Sequence, residues 1–287
     1  MMIESNNHSD TSFIVGDAGG TGTQWRVVKG EQILQFETIG FNAYTHNLDD
    51  LKTNIDQVFG AHITSEMPKY LYAAGVDTEQ QRLEAISTLQ EIFHDNIVVE
   101  NDLVGVARSL CGKNVGNVCI LGTGSNACYY NGEAVNKVSA SLGYVLGDEG
   151  SGAHLGKRLM MGVFRERFAK EIVEEFQDTF KLTSHEVIQR IYHQARPNHY
   201  LASFAKFVHQ HRNHPDMYHM IYRAFEDFFD AFFFDVSTHK VPFYFSGSIA
   251  WYFSDILREV TSSRNVVINN IAQSPIAGLV LYHQQYG

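Results

Sequence analysis

Apolar residues near the start of the chain fall in short blocks, Ser12 to Val15, Gln24 to Lys29 and Gln32 to Thr38, each bounded by turn residues. This pattern predicts three strands meandering away from one glycine-rich turn. From Leu48 to Phe59 the spacing becomes helical, with acidic residues in the first turn. Lys69 to Val76 then reads as a buried strand, Thr78 to Phe93 as an amphipathic helix and Asn96 to Val99 as another buried strand. The segment from Asn101 to Gly112 starts a helix where that strand ends. Asn117 to Asn131 repeats the opening: a buried strand, a Gly/Thr/Ser turn, a second strand and another glycine turn.

From Lys157 to about Asp235 the pattern is helical. It predicts one long amphipathic helix over Arg158 to Phe180, a helix over Ser184 to Gln194 capped by its serine, and an aromatic-rich helix over Met217 to Phe234. Val241 to Ser248 returns to a buried strand ending in a glycine turn, followed by a helix over Ile249 to Val260. Asn265 to Asn269 is a last strand, and the closing helix carries Pro275 in its first turn, as helix starts favour.

Composition narrows the function classes. The chain has 287 residues, 44% of them hydrophobic and 19% charged, enough for two separate cores. Its formal net charge of −10, with no Lys/Arg run, argues against nucleic acid or an anionic membrane surface as a partner. Met1 to Thr11 is polar, and no stretch approaches the ~20 apolar residues of a membrane span, so a cytoplasmic protein is expected. Cys111, Cys119 and Cys128 match neither a disulfide framework nor a metal pattern and read as buried, reduced thiols. His209, His211 and His214 read as a solvated stretch between helices, not a zinc site.

The candidate chemistry sits at the glycine turns. In GDAGGTGT, Gly16 to Thr23, Gly19 and Gly20 lack Cβ, so backbone N–H groups can approach a ligand closely, and Thr21 and Thr23 add hydroxyls. Such a tip suits phosphate oxygens, and Asp17 suits a hydrated divalent cation bridging to them. Taken alone, the stretch is equally an ordinary glycine-rich hairpin. Asn42 lies in a loop at a strand end, as a turn former or a hydroxyl reader. Asp102 lies between strand and helix, a position that points into the crevice of open α/β sheets, where it serves as an N-cap or as a general base. Two phosphate-type tips, each leading a meander, suggest two similar lobes gripping a nucleotide from both sides. Asp148 and Glu149, side by side in a glycine-rich loop, suggest a ligand or metal role, with an exposed turn as the alternative. The phenylalanines of AFEDFFDAFFFD serve core or interface packing, including a possible homodimer.

DAGGT at Asp17 to Thr21, Asn101 with Asp102, GTGSN at Gly122 to Asn126, GDEGSG at Gly147 to Gly152 and SGS at Ser246 to Ser248 occur in an order that resembles the sugar-kinase, actin and heat-shock-chaperone ATPase superfamily. Within it the chain is similar to the N-acetylglucosamine kinase branch, which shares its signature with the ATPase activators of benzoyl-CoA and hydroxyacyl-CoA dehydratase systems. The resemblance implies an α/β fold of two ribonuclease H-like lobes with mixed sheets, flanking helices and an interlobe nucleotide and sugar cleft. It implies an N-terminal lobe over residues 11–113, completed by the helix at 275–287, and a C-terminal lobe over 114–274 with a helical insertion at about 157–235. ATP and Mg²⁺ follow, with Asp17 at the metal through water. Gly19, Gly20, Thr21 and Thr23 would meet phosphate on one side, Gly122, Thr123, Gly124 and Ser125 on the other, with Gly247 and Ser248 near the adenosine. Asp102 becomes the base on the sugar 6-hydroxyl, and Asn42, Asn101, Thr123 and Asp148 the sugar contacts.

Two departures stand out. Leu142 occupies the place of a tryptophan common in that branch, leaving Tyr144 as the aromatic for stacking, and the chain is short for the branch. The leading expectation is an ATP-dependent kinase phosphorylating an amino sugar, N-acetylglucosamine above others, at its 6-hydroxyl. The alternative is an ATPase that acts on a protein partner; its iron–sulfur version lacks the paired cysteines. A sugar sensor without turnover has no use for the base at Asp102.

Overall fold

The fold, taken from a computed structural model, is described for residues 12–19, 22–41, 48–60, 67–93, 95–233 and 240–287. The chain divides into two compact units, residues 1–112 with 275–287 and residues 113–274. In the first, β1 (Ser12–Ala18), β2 (Gly22–Lys29) and β3 (Gln32–Ile39) form an antiparallel meander. Helix α1 (Leu48–Phe59), strand β4 (Lys69–Ala73), helix α2 (Glu79–Phe93), strand β5 (Val98–Asn101) and helix α3 (Asp102–Cys111) follow. The strands lie in the order β3-β2-β1-β4-β5, with β4 parallel to both β1 and β5.

The second unit repeats this plan. Strands β6 (Gly116–Leu121), β7 (Ser125–Tyr130) and β8 (Val135–Lys137) form the meander. Helices α4 (Gly143–Leu146), α5 (Gly152–Phe164), α6 (Lys170–Phe180), α7 (Ser184–His193), α8 (Pro197–Ser203), α9 (Ala205–Gln210) and α10 (Pro215–Phe232) intervene before β9 (Phe243–Ser246). Helices α11 (Ser248–Tyr252) and α12 (Ser254–Ser263) and strand β10 (Ile268–Ala272) complete it, and α13 (Ile276–Tyr286) returns to the first unit. Its strand order is β10-β9-β6-β7-β8, with β9 parallel to β6 and β10, so meander and parallel strands match the first unit element for element.

Each unit has its own core. In the first, Trp25 packs edge-on against Phe59 and Phe93 on one face of the sheet. On the other face, Phe13, Val15, Val28 and Tyr72 pack against Ile276, Leu279 and Val280 of α13. In the second, Phe225, Phe228, Phe229, Phe232 and Phe233 are buried against Phe243 and Phe245 of β9. These phenylalanines of the aromatic helix are therefore spent on the core of the second unit.

Several boundaries differ from the sequence pattern. The expected helix over Arg158 to Phe180 is two helices. Glu166 adopts a left-handed φ of 50°, and Arg167 N–H closes back on Gly162 O at 2.8 Å. The next helix then starts at Lys170, where Asp216 Oδ2 accepts the Ala169 N–H at 2.6 Å. The cap of α7 is Thr183, not Ser184, because Glu186 completes a capping box with the threonine. Phe253 divides the expected Ile249 to Val260 helix in two. His209 belongs to α9 and packs edge-on against Tyr252 and Phe253, so the histidine stretch is partly helical and packed.

Close backbone approach holds α5 to α8. A Cβ on Gly156 would lie 2.1 Å from the Leu201 carbonyl oxygen, a backbone atom with nowhere to go. Gly156→Ala is therefore expected to lower stability by about 2–3 kcal/mol, the usual range for overpacking. Chemical denaturation checks it; a midpoint equal to wild type contradicts the contact.

Candidate active site

In the first unit, parallel register aligns the chemistry. Ala18 pairs with Ala73 and Ala73 with Asn101, so β1, β4 and β5 finish on one edge of the sheet. Two strand spacings separate β1 from β5, roughly 10 Å. That edge carries Asp17 at the end of β1, the exposed Gly19 just beyond it, and Asp102 just past β5. Gly19 N–H donates to Gly22 O at 3.0 Å and closes the first turn. Gly20, Thr21 and Asn42 lie outside the described residues.

Asp102 is not the cap of α3. Asn101 is: its Oδ1 accepts the Leu103 N–H at 2.9 Å, while its amide donates to Val76 O and Asp77 Oδ1. Cap and turn thus engage both ends of the side chain expected to read a sugar. Asp102 is the first helical residue and also accepts from Leu103 N–H, at 2.8 Å. Burial pushes its carboxyl up to about 6, the Asp77 charge adds to the rise, and the Leu103 amide opposes it. A carboxyl with that affinity for a proton suits general-base work near neutral pH.

Thr23 leaves the phosphate set. It is 1% exposed, donates from Oγ1 to Ile39 O and accepts from Phe41 N–H, so its hydroxyl fastens β2 to the end of β3. Its position inside β2, not at the turn tip, is the reason.

In the second unit, three expected stretches converge on the turn between β6 and β7. Gly122 N–H donates to Gly124 O at 3.0 Å. Gly152 N–H donates to Gly122 O, and Ala153 N–H to Thr123 O, which joins the start of α5 to the turn. Asp148, 7% exposed and in the left-handed region at φ 58°, accepts the Ser125 N–H through Oδ1 at 3.2 Å. Its carboxylate lies 3.0 Å from where a Gly124 Cβ would stand, so a side chain there would press the carboxylate out of place. Burial raises the Asp148 pKa, against the Ser125 amide and the Lys157 charge. Gly247, at φ 116°, has room only for hydrogen, since a Cβ would meet Leu121 O at 2.3 Å; Ser248 opens α11 beside it.

These turns fit a nucleotide's phosphates. Ser125 Oγ is buried without a hydrogen-bond partner among the described residues, an acceptor-seeking hydroxyl at the turn. Thr123 and Gly124 amides take part in no backbone bond among the described residues. Asp17 offers a half-buried carboxylate beside the first turn, the hard oxygen donor that Mg²⁺ takes together with water and phosphate. Among the described residues no group of three or more His, Cys, Asp or Glu could hold a metal ion.

Two residues escaped the sequence pattern. Asp77 reaches Asn101 and raises the Asp102 pKa only because β4 and β5 run side by side. Ser151, fully buried, caps α5 by accepting the His154 N–H, and its place inside GDEGSG was a usable signal. Leu142 and Val145 around α4 are exposed, and Tyr144 is partly buried against the core. The three cysteines are buried thiols. No helix among the described residues is long and apolar enough to cross a membrane.

No family model matches the chain. A solved structure from Porphyromonas gingivalis, named as a candidate N-acetylglucosamine kinase, is 32% identical and superposes with a TM-score of 0.90, covering 96% of this chain and 99% of that one. An N-acetyl-D-glucosamine kinase of Dictyostelium discoideum is 33% identical over 97 residues, 33% of this chain and 30% of its own length. An N-acetylmuramic acid/N-acetylglucosamine kinase of Clostridium acetobutylicum is 30% identical over 141 residues, 47% of this chain and 46% of its own. The match thus spans less than half the length of each of these two curated relatives. With the two repeated sheets and the near-complete superposition on the Porphyromonas protein, the chain belongs to the N-acetylglucosamine kinase family of the sugar-kinase, actin and heat-shock-chaperone ATPase superfamily.

Proposed function

We propose that the protein is an ATP-dependent amino-sugar kinase that transfers the terminal phosphoryl group of ATP to the 6-hydroxyl of N-acetylglucosamine. The observation that carries this reading is the Asp102 carboxyl, brought to the carboxyl edge of the parallel strands and pushed up to about 6. The carboxylate takes the proton of the sugar hydroxyl as its oxygen attacks the terminal phosphorus; the bond from phosphorus to the bridging oxygen breaks, and ADP departs with the charge. Magnesium, held by Asp17 through water, supplies charge neutralisation at the phosphates when bound. Gly19 on one turn and Thr123, Gly124 and Ser125 on the other offer amides and a hydroxyl to phosphate oxygens, with Gly247 and Ser248 toward the nucleoside.

Asp148 is assigned to the acceptor through the turn it braces, since its Oδ1 already holds Ser125. Gly20, Thr21 and Gly122 keep their proposed roles at phosphate, and Asn42 its proposed role at the sugar. A kinase of this type draws on the ATP pool of the cytoplasm.

Adenosine diphosphate release, followed with N-acetylglucosamine, N-acetylmannosamine, N-acetylmuramic acid, glucose and no sugar, is expected to rise most with N-acetylglucosamine. Release that no sugar stimulates contradicts the kinase. Asp102→Asn keeps shape and hydrogen bonding and is expected to cost ~10²-fold or more in turnover, with nucleotide affinity retained. Wild-type turnover refutes the base.

The same carboxyl predicts opposite effects of pH on rate and stability. Turnover should fall as pH drops through about 6, where Asp102 takes up its proton. The folded state holds this proton more tightly than the unfolded chain, whose carboxyl titrates near 3.8, so folding stability declines as pH rises between the two values. Asp102→Asn should therefore stabilise the protein at pH 7 by about 2–3 kcal/mol, a gain that disappears near pH 4. Urea titrations at both values check this; an equal gain at both pH values contradicts it.

A further inference from the structure

Helix α5 presents His154, Lys157, Arg158, Met161 and Gly162 along one face, and α10 presents Asp216, His219 and Met220. With Arg167 and Phe168 from the connection between α5 and α6, these residues line a cavity of about 660 Å³ that opens on the surface of the second unit. None of the lining residues belongs to the catalytic set above.

The charges are uneven. Asp216 is committed to the Ala169 N–H. Arg158 is paired with Asp227, outside the lining. His154 is approached by the Gly150 N–H at Nδ1 and the Arg158 Nε–H at Nε2, of which a neutral ring can accept only one, and burial and its cationic neighbours lower its pKa to about 4. The Lys157 ammonium donates to Tyr144 O at 2.6 Å and keeps two further protons to give. Arg167 is exposed, and neither cation forms an ion pair among the described residues. The wall behind them is apolar: Met161, Phe168 and Met220.

We infer that this cavity binds a small phosphate monoester, its dianion held by the Arg167 guanidinium and the Lys157 ammonium and its carbon body lying on Met161, Phe168 and Met220. Arginine grips phosphate through two parallel N–H donors and lysine as a point charge, and the volume is that of a small-metabolite site. Lys157 also holds the Tyr144 carbonyl in α4, four residues before Asp148. An anion that shares the Lys157 ammonium weakens its bond to the Tyr144 carbonyl, so occupancy of the cavity reaches the Asp148 loop through one side chain. This site does not rest on the kinase reading, because both of its readouts are independent of turnover.

Calorimetric titration with phenyl phosphate, in saturating non-hydrolysable ATP analogue to fill the phosphate turns, tests it. Wild type is expected to bind, Arg167→Glu to lose ~10-fold or more in affinity, and Arg167→Lys to retain part of it, as the worth of a charge-assisted hydrogen bond dictates. Phenyl phosphate should also speed amide hydrogen exchange over residues 142–147 in wild type and leave it unchanged in Arg167→Glu. Equal affinity in wild type and Arg167→Glu overturns the site, as does exchange that phenyl phosphate does not alter in wild type. Arg167 is exposed, so its variants fold; unchanged circular dichroism and thermal midpoint confirm this for each.

Discussion

The parallel register of β4 between β1 and β5 is the constraint on which the proposed chemistry of the first unit depends. It brings three strands to one edge, so that an aspartate at the end of the first and another just past the last share a side of the sheet. Asp102 then acquires its character from three local facts: a helix begins at it, it is only partly exposed, and Asp77 arrives from the loop after β4. A helix N-terminus favours the charged form and burial favours the neutral one; here burial prevails, which leaves the carboxylate basic enough to accept a proton. The cap role falls instead to Asn101, whose side chain fits that geometry without a charge to desolvate.

Packing against α13 fixes α3 from the other side. Gly105 leaves room for the Tyr72 ring, and Gly278 for Ser109, whose hydroxyl donates to Pro275 O. Tyr72 OH meets His283 at 3.0 Å and accepts from Arg108 of α3. The last helix of the chain is therefore part of what holds the proposed base in place. In the second unit the corresponding work is done by backbone: Gly152 and Ala153 N–H groups bond the carbonyls of Gly122 and Thr123, Gly247 packs on the Leu121 carbonyl where a Cβ would meet it at 2.3 Å, and Asp148 ties the turn to its loop with a single carboxylate. Stiffness of this kind is what a preorganised phosphate turn requires.

Much of this was legible in the sequence. Strands read from apolar blocks, and the paired glycine turns read from composition, because both are local properties. The duplicated meander was visible as two tips of similar form. What local pattern could not show was pairing and competition. The break at Glu166 depends on Asp216 capturing the Ala169 amide from 47 positions away. Thr23 looked like a turn hydroxyl until β2 proved to start at Gly22 and to point it at Ile39. Asp77 was invisible because its neighbour is set by strand register, and the cationic cavity because its lining is gathered from two helices and the connection after α5.

The proposed reaction ends with phosphate on the sugar 6-hydroxyl, the group from which Asp102 would take the proton. Phosphorus–proton correlation spectroscopy of the product formed from ATP and N-acetylglucosamine reads that position. Coupling from the new phosphate to the two protons on carbon 6 is expected. Coupling to the anomeric proton, or inorganic phosphate as the only product, would contradict the proposed reaction.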